Sequence, residues 1–230
     1  MLKSFGLPAA PEKKVVKWKK LLSSIANTKG EVKIGVIGKY FSTGDFTLSD
    51  AYISLIEAIK HASWANGRAP KLVWLNSEAY EKSSAKLKEL DQLDGVVIPG
   101  GFGSRGIEGK IKVIKYCREN KIPYLGLCYG MQCAVIEYAR NVLKLKDAHT
   151  TEINPNTTHP VIHLLPGQEE KLKEGSYGGT LRLGSYPCKL APNSMARKAY
   201  GTALVDERHR HRYEFNNEYR ETLEKAGLVI

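Results

Sequence analysis

Residues 122–142 read IPYLGLCYGMQCAVIEYARNV. Ile122 to Leu127 is an apolar run of strand length, and Met131, Ala134, Val135, Tyr138 and Val142 recur at the spacing of one helix face. Between them stands Gly126-Leu127-Cys128-Tyr129-Gly130, the G-x-nucleophile-x-G spacing of a sharp strand-to-helix turn, with Cys in the central place. A buried strand that feeds directly into an amphipathic helix is a building unit of α/β sheets.

The same unit repeats upstream. Val32 to Gly38 reads as a buried strand, followed by a helix striped by Leu48, Tyr52, Leu55, Ile56 and Ile59. Leu72 to Leu75 is a second strand, and a polar helical stretch runs from Lys82 to Leu90. Gly95 to Ile98 is a third strand, followed by a helix carrying Ile107, Ile111 and Ile114; Ile122 to Leu127 is the fourth. Strands alternating with helices predict an α/β fold with right-handed crossovers, an open, mostly parallel sheet and helices on both faces. Beyond residue 150 the pattern loosens. Thr180 to Leu183 and Ala203 to Val205 read as strands, Asn216 to Ala226 as a helix, and Leu228 to Ile230 as the opening of a further strand.

The 230 residues are 42% apolar and 26% charged, which excludes collagen-like, low-complexity and disordered classes. No run approaches the length of a membrane span, and no signal-peptide core is present. Cys117, Cys128, Cys133 and Cys188 are too few for a disulfide framework and lack zinc-ligand spacing, so no metal is expected. Of the net charge of +11, +6 lies in residues 1–30, and the rest of the chain gives no basic, aromatic-rich sheet motif. Nucleic-acid and membrane partners are therefore not expected, and a cytoplasmic protein is. Within residues 1–30, Val15, Val16, Trp18, Leu21, Leu22 and Ile25 set a helical apolar face among lysines, as in a connector docked on a neighbouring surface.

Two features carry chemistry. An elbow holds its nucleophile in a strained backbone conformation, and the helix beginning there favours a thiolate at Cys128 through its free N–H groups and dipole. The rival reading makes Cys128 a small buried residue at a turn; Cys117, Cys133 and Cys188 read as core. The second feature is Pro99-Gly100-Gly101-Phe102-Gly103, at the carboxyl end of the third strand, where open parallel sheets place their ligands. Its bare N–H groups suit an oxyanion hole with that of Tyr129, or form only a tight turn. A phosphate loop would need G-K-[ST] or G-x-G-x-x-G here. In Arg208-His209-Arg210-His211-Arg212, strand alternation puts arginines on one face and histidines on the other. His149, His159 and His163 read as loop or strand residues.

PGGFGSRGIEGK (99–110), GLCYGMQ (126–132), TTEINPN (150–156), GGTLRLG (178–184) and ERHRHRYEFNN (207–217) together resemble the glutamine amidotransferase domain of the CTP synthase family, a class I, flavodoxin-like fold. The likeness covers residues 31–230, with 1–30 similar to the family's interdomain connector. It implies Cys128 as nucleophile, Gly101 and Tyr129 as oxyanion donors, and a glutamine site that also draws on Gly130, Met131, Gln132, Glu152 and Arg212. It implies a GTP-responsive lid at Arg105, Gly106 and Glu108. It further implies a synthetase domain using ATP and Mg2+ to convert UTP to CTP, and a homotetramer. The family's catalytic His-Pro-Glu has no counterpart, for no His-x-Glu occurs in the 230 residues. A fragment shortened at both ends, nearly inactive alone, is expected on that reading. The alternatives are a binding module without catalysis and a cysteine hydrolase with another substrate, His209 or His211 serving as its base.

Overall fold

Continuous apolar runs flanked by turn residues become the central sheet of the computed structural model, which describes residues 2–6, 8, 12–39, 42–43, 46–47, 52–165 and 182–230. A leading helix, α1 (Glu12–Ala26), packs on α2 (Ile53–Ala65). Val15, Leu21 and Ile25 of its apolar stripe are half-buried, while Val16, Trp18 and Leu22 stay exposed. Strand β1 (Glu31–Gly38) is followed by a small hairpin of β2 (Ser42–Thr43) and β3 (Phe46–Thr47). β1 pairs in parallel with β4 (Ala69–Asn76) on one side and β5 (Gly95–Ile98) on the other; β5 pairs in parallel with β6 (Tyr124–Gly126).

The order β4-β1-β5-β6 fixes the layers. Helix α2 links β1 to β4; α3 (Ser77–Lys82) and a 3-10 segment, Ser84–Gln92, link β4 to β5; α4 (Ile107–Glu119) links β5 to β6. The first crossover runs toward one edge and the later ones toward the other. Right-handedness therefore puts α2 on one face of the sheet and α3 and α4 on the opposite face. Helix α5 (Tyr129–Asn141) packs beside α4. Ile37, Val96 and Ile98 from the sheet, Ile107, Ile111 and Ile114 from α4, and Val135, Ile136 and Ala139 from α5 make one buried cluster.

An ion pair between exposed Arg118 and buried Glu137 ties α4 to α5 at the edge of this cluster. Glu137 is 1% exposed and accepts from Arg118 Nη2 at 2.8 Å and Nε at 3.0 Å. The carboxylate beside it raises the Arg118 pKa. Removing one partner strands a buried charge, so Arg118→Ala is expected to cost about 3 kcal/mol in urea unfolding. Arg118→Ala combined with Glu137→Leu should recover most of that loss.

A second sheet, β11-β8-β7, contains β7 (His149–Thr150), β8 (Pro160–Leu164) and, beyond an intervening two-stranded ribbon, β11 (Tyr213–Phe215). The ribbon is β9 (Arg182–Lys189) paired antiparallel with β10 (Leu204–His211), joined through α6 (Met195–Tyr200). Helix α7 (Arg220–Lys225) follows a 3-10 turn, Asn217–Tyr219, and buries Leu223.

The expected architecture holds, with local corrections. The helix expected over Lys82–Leu90 is instead α3 and the 3-10 segment, where Leu87, Leu90 and Leu93 recur every third residue and so suit three residues per turn. The helix expected over Asn216–Ala226 splits because the Asn216 side chain caps a 3-10 turn by accepting from the Glu218 N–H. Leu228 to Ile230 form no strand; Leu228 packs on the core after the Gly227 turn, which has φ +101°. The expected strand near Ala203–Val205 runs on to His211. Leu48, and the Thr180 and Leu181 end of another expected strand, lie outside the described residues.

Candidate active site

The strand order reverses between β1 and β5, and open parallel sheets place ligands at the carboxyl ends of the strands there. Gly38-Lys39, the loop Pro99–Gly103 and the elbow at Cys128 all converge on that edge. Cys128 has φ +52° and ψ −106°, a conformation costly for a residue with a Cβ. The flanking glycines are required by contact. A Cβ on Gly130 would stand 2.2 Å from the Ile98 carbonyl oxygen, and one on Gly126 would stand 2.5 Å from the Tyr124 hydroxyl and 2.6 Å from the Gly130 carbonyl carbon. The strained elbow is therefore present where the spacing put it.

The thiol's charge balance departs from expectation. Cys128 is accessible, yet the protein packed around its sulfur pushes the thiol up from its ordinary 9.0; the Tyr129 N–H opposes this and the Glu152 carboxylate adds to it. One helix-end N–H does not outweigh desolvation here. Alkylation of Cys128 by iodoacetamide, mapped by mass spectrometry, should therefore keep climbing through pH 9 without levelling near neutrality. Cys117 and Cys133, both pushed up to about 12 by burial, should react far more slowly.

The Gly-rich loop closes over the elbow. A Cβ on Gly100 would lie 3.5 Å from Cys128 Cβ, and one on Gly101 would lie 3.9 Å from the Tyr129 ring. The Tyr129 hydroxyl donates to the Gly103 carbonyl at 2.7 Å, and the Gly103 N–H donates to Glu152 Oε1 at 3.0 Å. Glu152 is thus joined to the loop across 49 residues of sequence. Gln132 is buried on α5, and its side-chain amide donates to the Tyr213 carbonyl at 2.9 Å. Arg212 stands half-buried at the bend between β10 and β11, next to Tyr213. Gly130 and Met131 follow in the first turn of α5, Met131 partly exposed.

Arg105, Gly106 and Glu108 lead from the loop into α4. The Arg105 guanidinium pairs with Glu78 at 2.6 Å and donates to the Lys39 carbonyl at 2.8 Å. Gly106 has φ +75°. Glu108 is held by Arg140 Nη1 of α5 at 2.9 Å and lies 3.9 Å from His149 Nε2 of β7. His209 and His211 alternate with exposed Arg208 and Arg210 as expected. Their Nδ1 atoms meet the carbonyls of Glu207 and Tyr213, within the ribbon and its base.

Sequence reasoning passed over Lys110. It is 2% exposed, with Nζ 4.8 Å from the centre of the Tyr129 ring. Burial lowers its pKa and the Lys39 charge adds to this, while Cys133 acts the other way. The signal was present: Lys110 lies three residues after Ile107 and one before Ile111, on the buried face of α4. Lys39, whose ammonium donates to the Phe102 carbonyl, was also missed. Among the described residues no cluster of His, Cys, Asp and Glu suits a metal ion, and no helix is long and apolar enough to cross a membrane.

Residues 47–230 match the family Glutamine amidotransferase class-I. The chain is 52% identical over 230 residues to the CTP synthase of Carboxydothermus hydrogenoformans, covering all of this chain and 41% of that protein. It is 50% identical over 213 residues to that of Clostridium beijerinckii, covering 93% of this chain and 38% of that protein. The chain thus spans about two fifths of the length of these relatives. Among solved structures, the glutaminase domain of Trypanosoma brucei CTPS with bound acivicin matches with a TM-score of 0.77 and 37% identity, covering 86% of this chain and 74% of that one. An elbow cysteine under a glycine-rich loop, on a sheet of this order and with these likenesses, places the chain in the class I glutamine amidotransferase family.

Proposed function

We propose that this chain is the ammonia-supplying half of a CTP-forming enzyme. The observation that carries the reading is the strained Cys128 elbow set against the Gly100–Gly101 loop and Glu152. Cys128 Sγ attacks the side-chain carbonyl carbon of glutamine. The carbon–nitrogen bond breaks, ammonia leaves with a proton, and a glutamyl thioester remains until water hydrolyses it to glutamate. The N–H groups of Gly101 and Tyr129 receive the developing oxyanion. Glu152 takes the ammonium of the substrate and Arg212 its carboxylate, as opposite charges would. Gln132, Gly130 and Met131 form the wall of the pocket on α5.

The thiol proton needs a base, and this chain has no His-x-Glu pair to supply it. Arg105, Gly106 and Glu108 form the segment that responds to GTP in this reading, with the positive φ of Gly103 and Gly106 supplying pivots. ATP, Mg2+ and UTP would be handled by a synthetase domain, in a cytoplasmic homotetramer with residues 1–30 as connector.

The test is covalent labelling of Cys128 by a glutamine-analogue chloroketone with and without glutamine. Glutamine should slow labelling in proportion to its occupancy, and asparagine, one methylene shorter, should not. Equal protection by both, or labelling confined to Cys188, would overturn the reading.

A further inference from the structure

His149 sits at the start of the segment that delivers Glu152, and its surroundings give it a task. The N–H groups of His149 and Thr151 donate to the carbonyls of His159 and Ile162, as a parallel ladder requires. The Thr150 N–H points the other way. It donates instead to Nδ1 of the preceding His149 ring at 2.9 Å. Both residues are buried. A backbone N–H can only donate, so Nδ1 carries no proton and the ring's proton is on Nε2, which lies 3.9 Å from Glu108 Oε1. The ring is thus the acceptor for a buried donor that the sheet leaves unpaired.

Thr150 in turn holds the site. Its hydroxyl accepts from the Glu152 N–H at 3.2 Å, and its carbonyl accepts from the N–H groups of Ile153 and Asn154. Glu152 then takes the Gly103 N–H at 3.0 Å. We propose that His149 is a positioning residue: its unprotonated Nδ1 fixes the Thr150–Glu152 turn that aims Glu152 at the Gly-rich loop, and protonation of the ring releases that turn. The link to substrate rests on the reading of Glu152 as part of a glutamine site.

The groups facing the imidazole set the direction of its pH response. Glu108 from α4 lies at Nε2, and Arg140 from α5 pairs with Glu108 and donates to the Ala148 carbonyl at 2.7 Å. On the β8 side, the His159 ring is turned toward Asp147 and Tyr219. Burial lowers the His149 pKa from 6.5, the Arg140 charge adds to this, and Glu108 opposes it. The opened turn binds a proton more readily than the closed one. The closed turn is therefore fully favoured above the ordinary 6.5 and is lost as pH falls through the lowered value.

The experiment follows hydrogen exchange at the Thr150 and Gly103 amides of the whole chain between about pH 5 and 8, after correction for intrinsic rates. Wild type, His149→Asn and His149→Phe are compared. Asn offers Oδ1 near the place of Nδ1 and does not titrate. Wild-type protection at both amides should fall about tenfold on acidification, His149→Asn should stay protected and flat, and His149→Phe should be about tenfold less protected throughout. Protection in His149→Phe equal to wild type, or an acid-dependent loss that persists in His149→Asn, would overturn the proposal. If His149→Phe does not fold, the pH profile of His149→Asn decides alone. Glutamine affinity, read by protection of Cys128 from the chloroketone, should weaken about tenfold in His149→Phe and be rescued in His149→Asn. Amide changes without a change in affinity would sever the turn from the substrate. Absence of glutamine protection in wild type would instead sink the glutaminase reading while the amides still decide the role of His149.

Discussion

Replacing Cys128 with alanine is expected to abolish every reaction that begins with a thioester, a loss of at least about 10⁴-fold in the glutamine-dependent turnover of a longer protein that supplies the base. Oxyanion donors and substrate contacts survive the substitution, but no atom remains to form the covalent bond. Labelling by the chloroketone should vanish in this chain. In a longer protein carrying the synthetase domain, CTP formation from glutamine should be lost while formation from added ammonia continues. Loss of both activities would mean that Cys128 is structural. The unfolding midpoint should change little, because the thiol is accessible and alanine keeps the same Cβ on the same strained backbone.

Gly130→Ala should do the reverse damage, to the fold first and the chemistry with it. The new Cβ would stand 2.2 Å from the Ile98 oxygen and 3.0 Å from its carbonyl carbon. Ile98 is fully buried and hydrogen-bonded through that oxygen to the Leu127 N–H, so the strand cannot yield. Helix α5 must lift off β5, and Cys133, Ile136 and Ala139 lose their packing together. A destabilisation of about 4–5 kcal/mol in urea unfolding is expected, with Cys128 labelling lost even where the chain remains folded. A cost within about 1 kcal/mol would show that the elbow has room the contacts deny it.

The parallel sheet was legible because its strands are buried on both faces, so Val36, Ile37 and Val96 to Ile98 stand in unbroken apolar runs. The elbow was legible because its constraint is local: two glycines four apart with the nucleophile between. The region after residue 150 was not. β7 has only two residues, too few for any period, and β9 contains Gly184 and Pro187, which break the alternation a half-exposed strand needs. The pairing of Glu152 with Gly103 joins residues 49 apart and that of Gln132 with Tyr213 joins residues 81 apart, so neither leaves a mark in a short window. The role of the His149 ring was hidden for a related reason. A buried imidazole reads as bland until the ladder shows which backbone N–H lacks an acceptor.

The ribbon of β9 and β10 has a consequence for how the molecule breathes. Its ladder runs from Leu204–Lys189 to His211–Arg182, and its outer face is solvated along its length. At its base, Arg182 clasps Glu214 at 2.9 Å and stacks on Tyr186. Two strands alone bury too little to be cooperative with a distant core. The ribbon is therefore expected to open as a unit of its own, at lower free energy than the parallel sheet. Trypsin should reach Arg208 and Arg210 in the native protein, nicking the chain while the elbow and its helices stay intact.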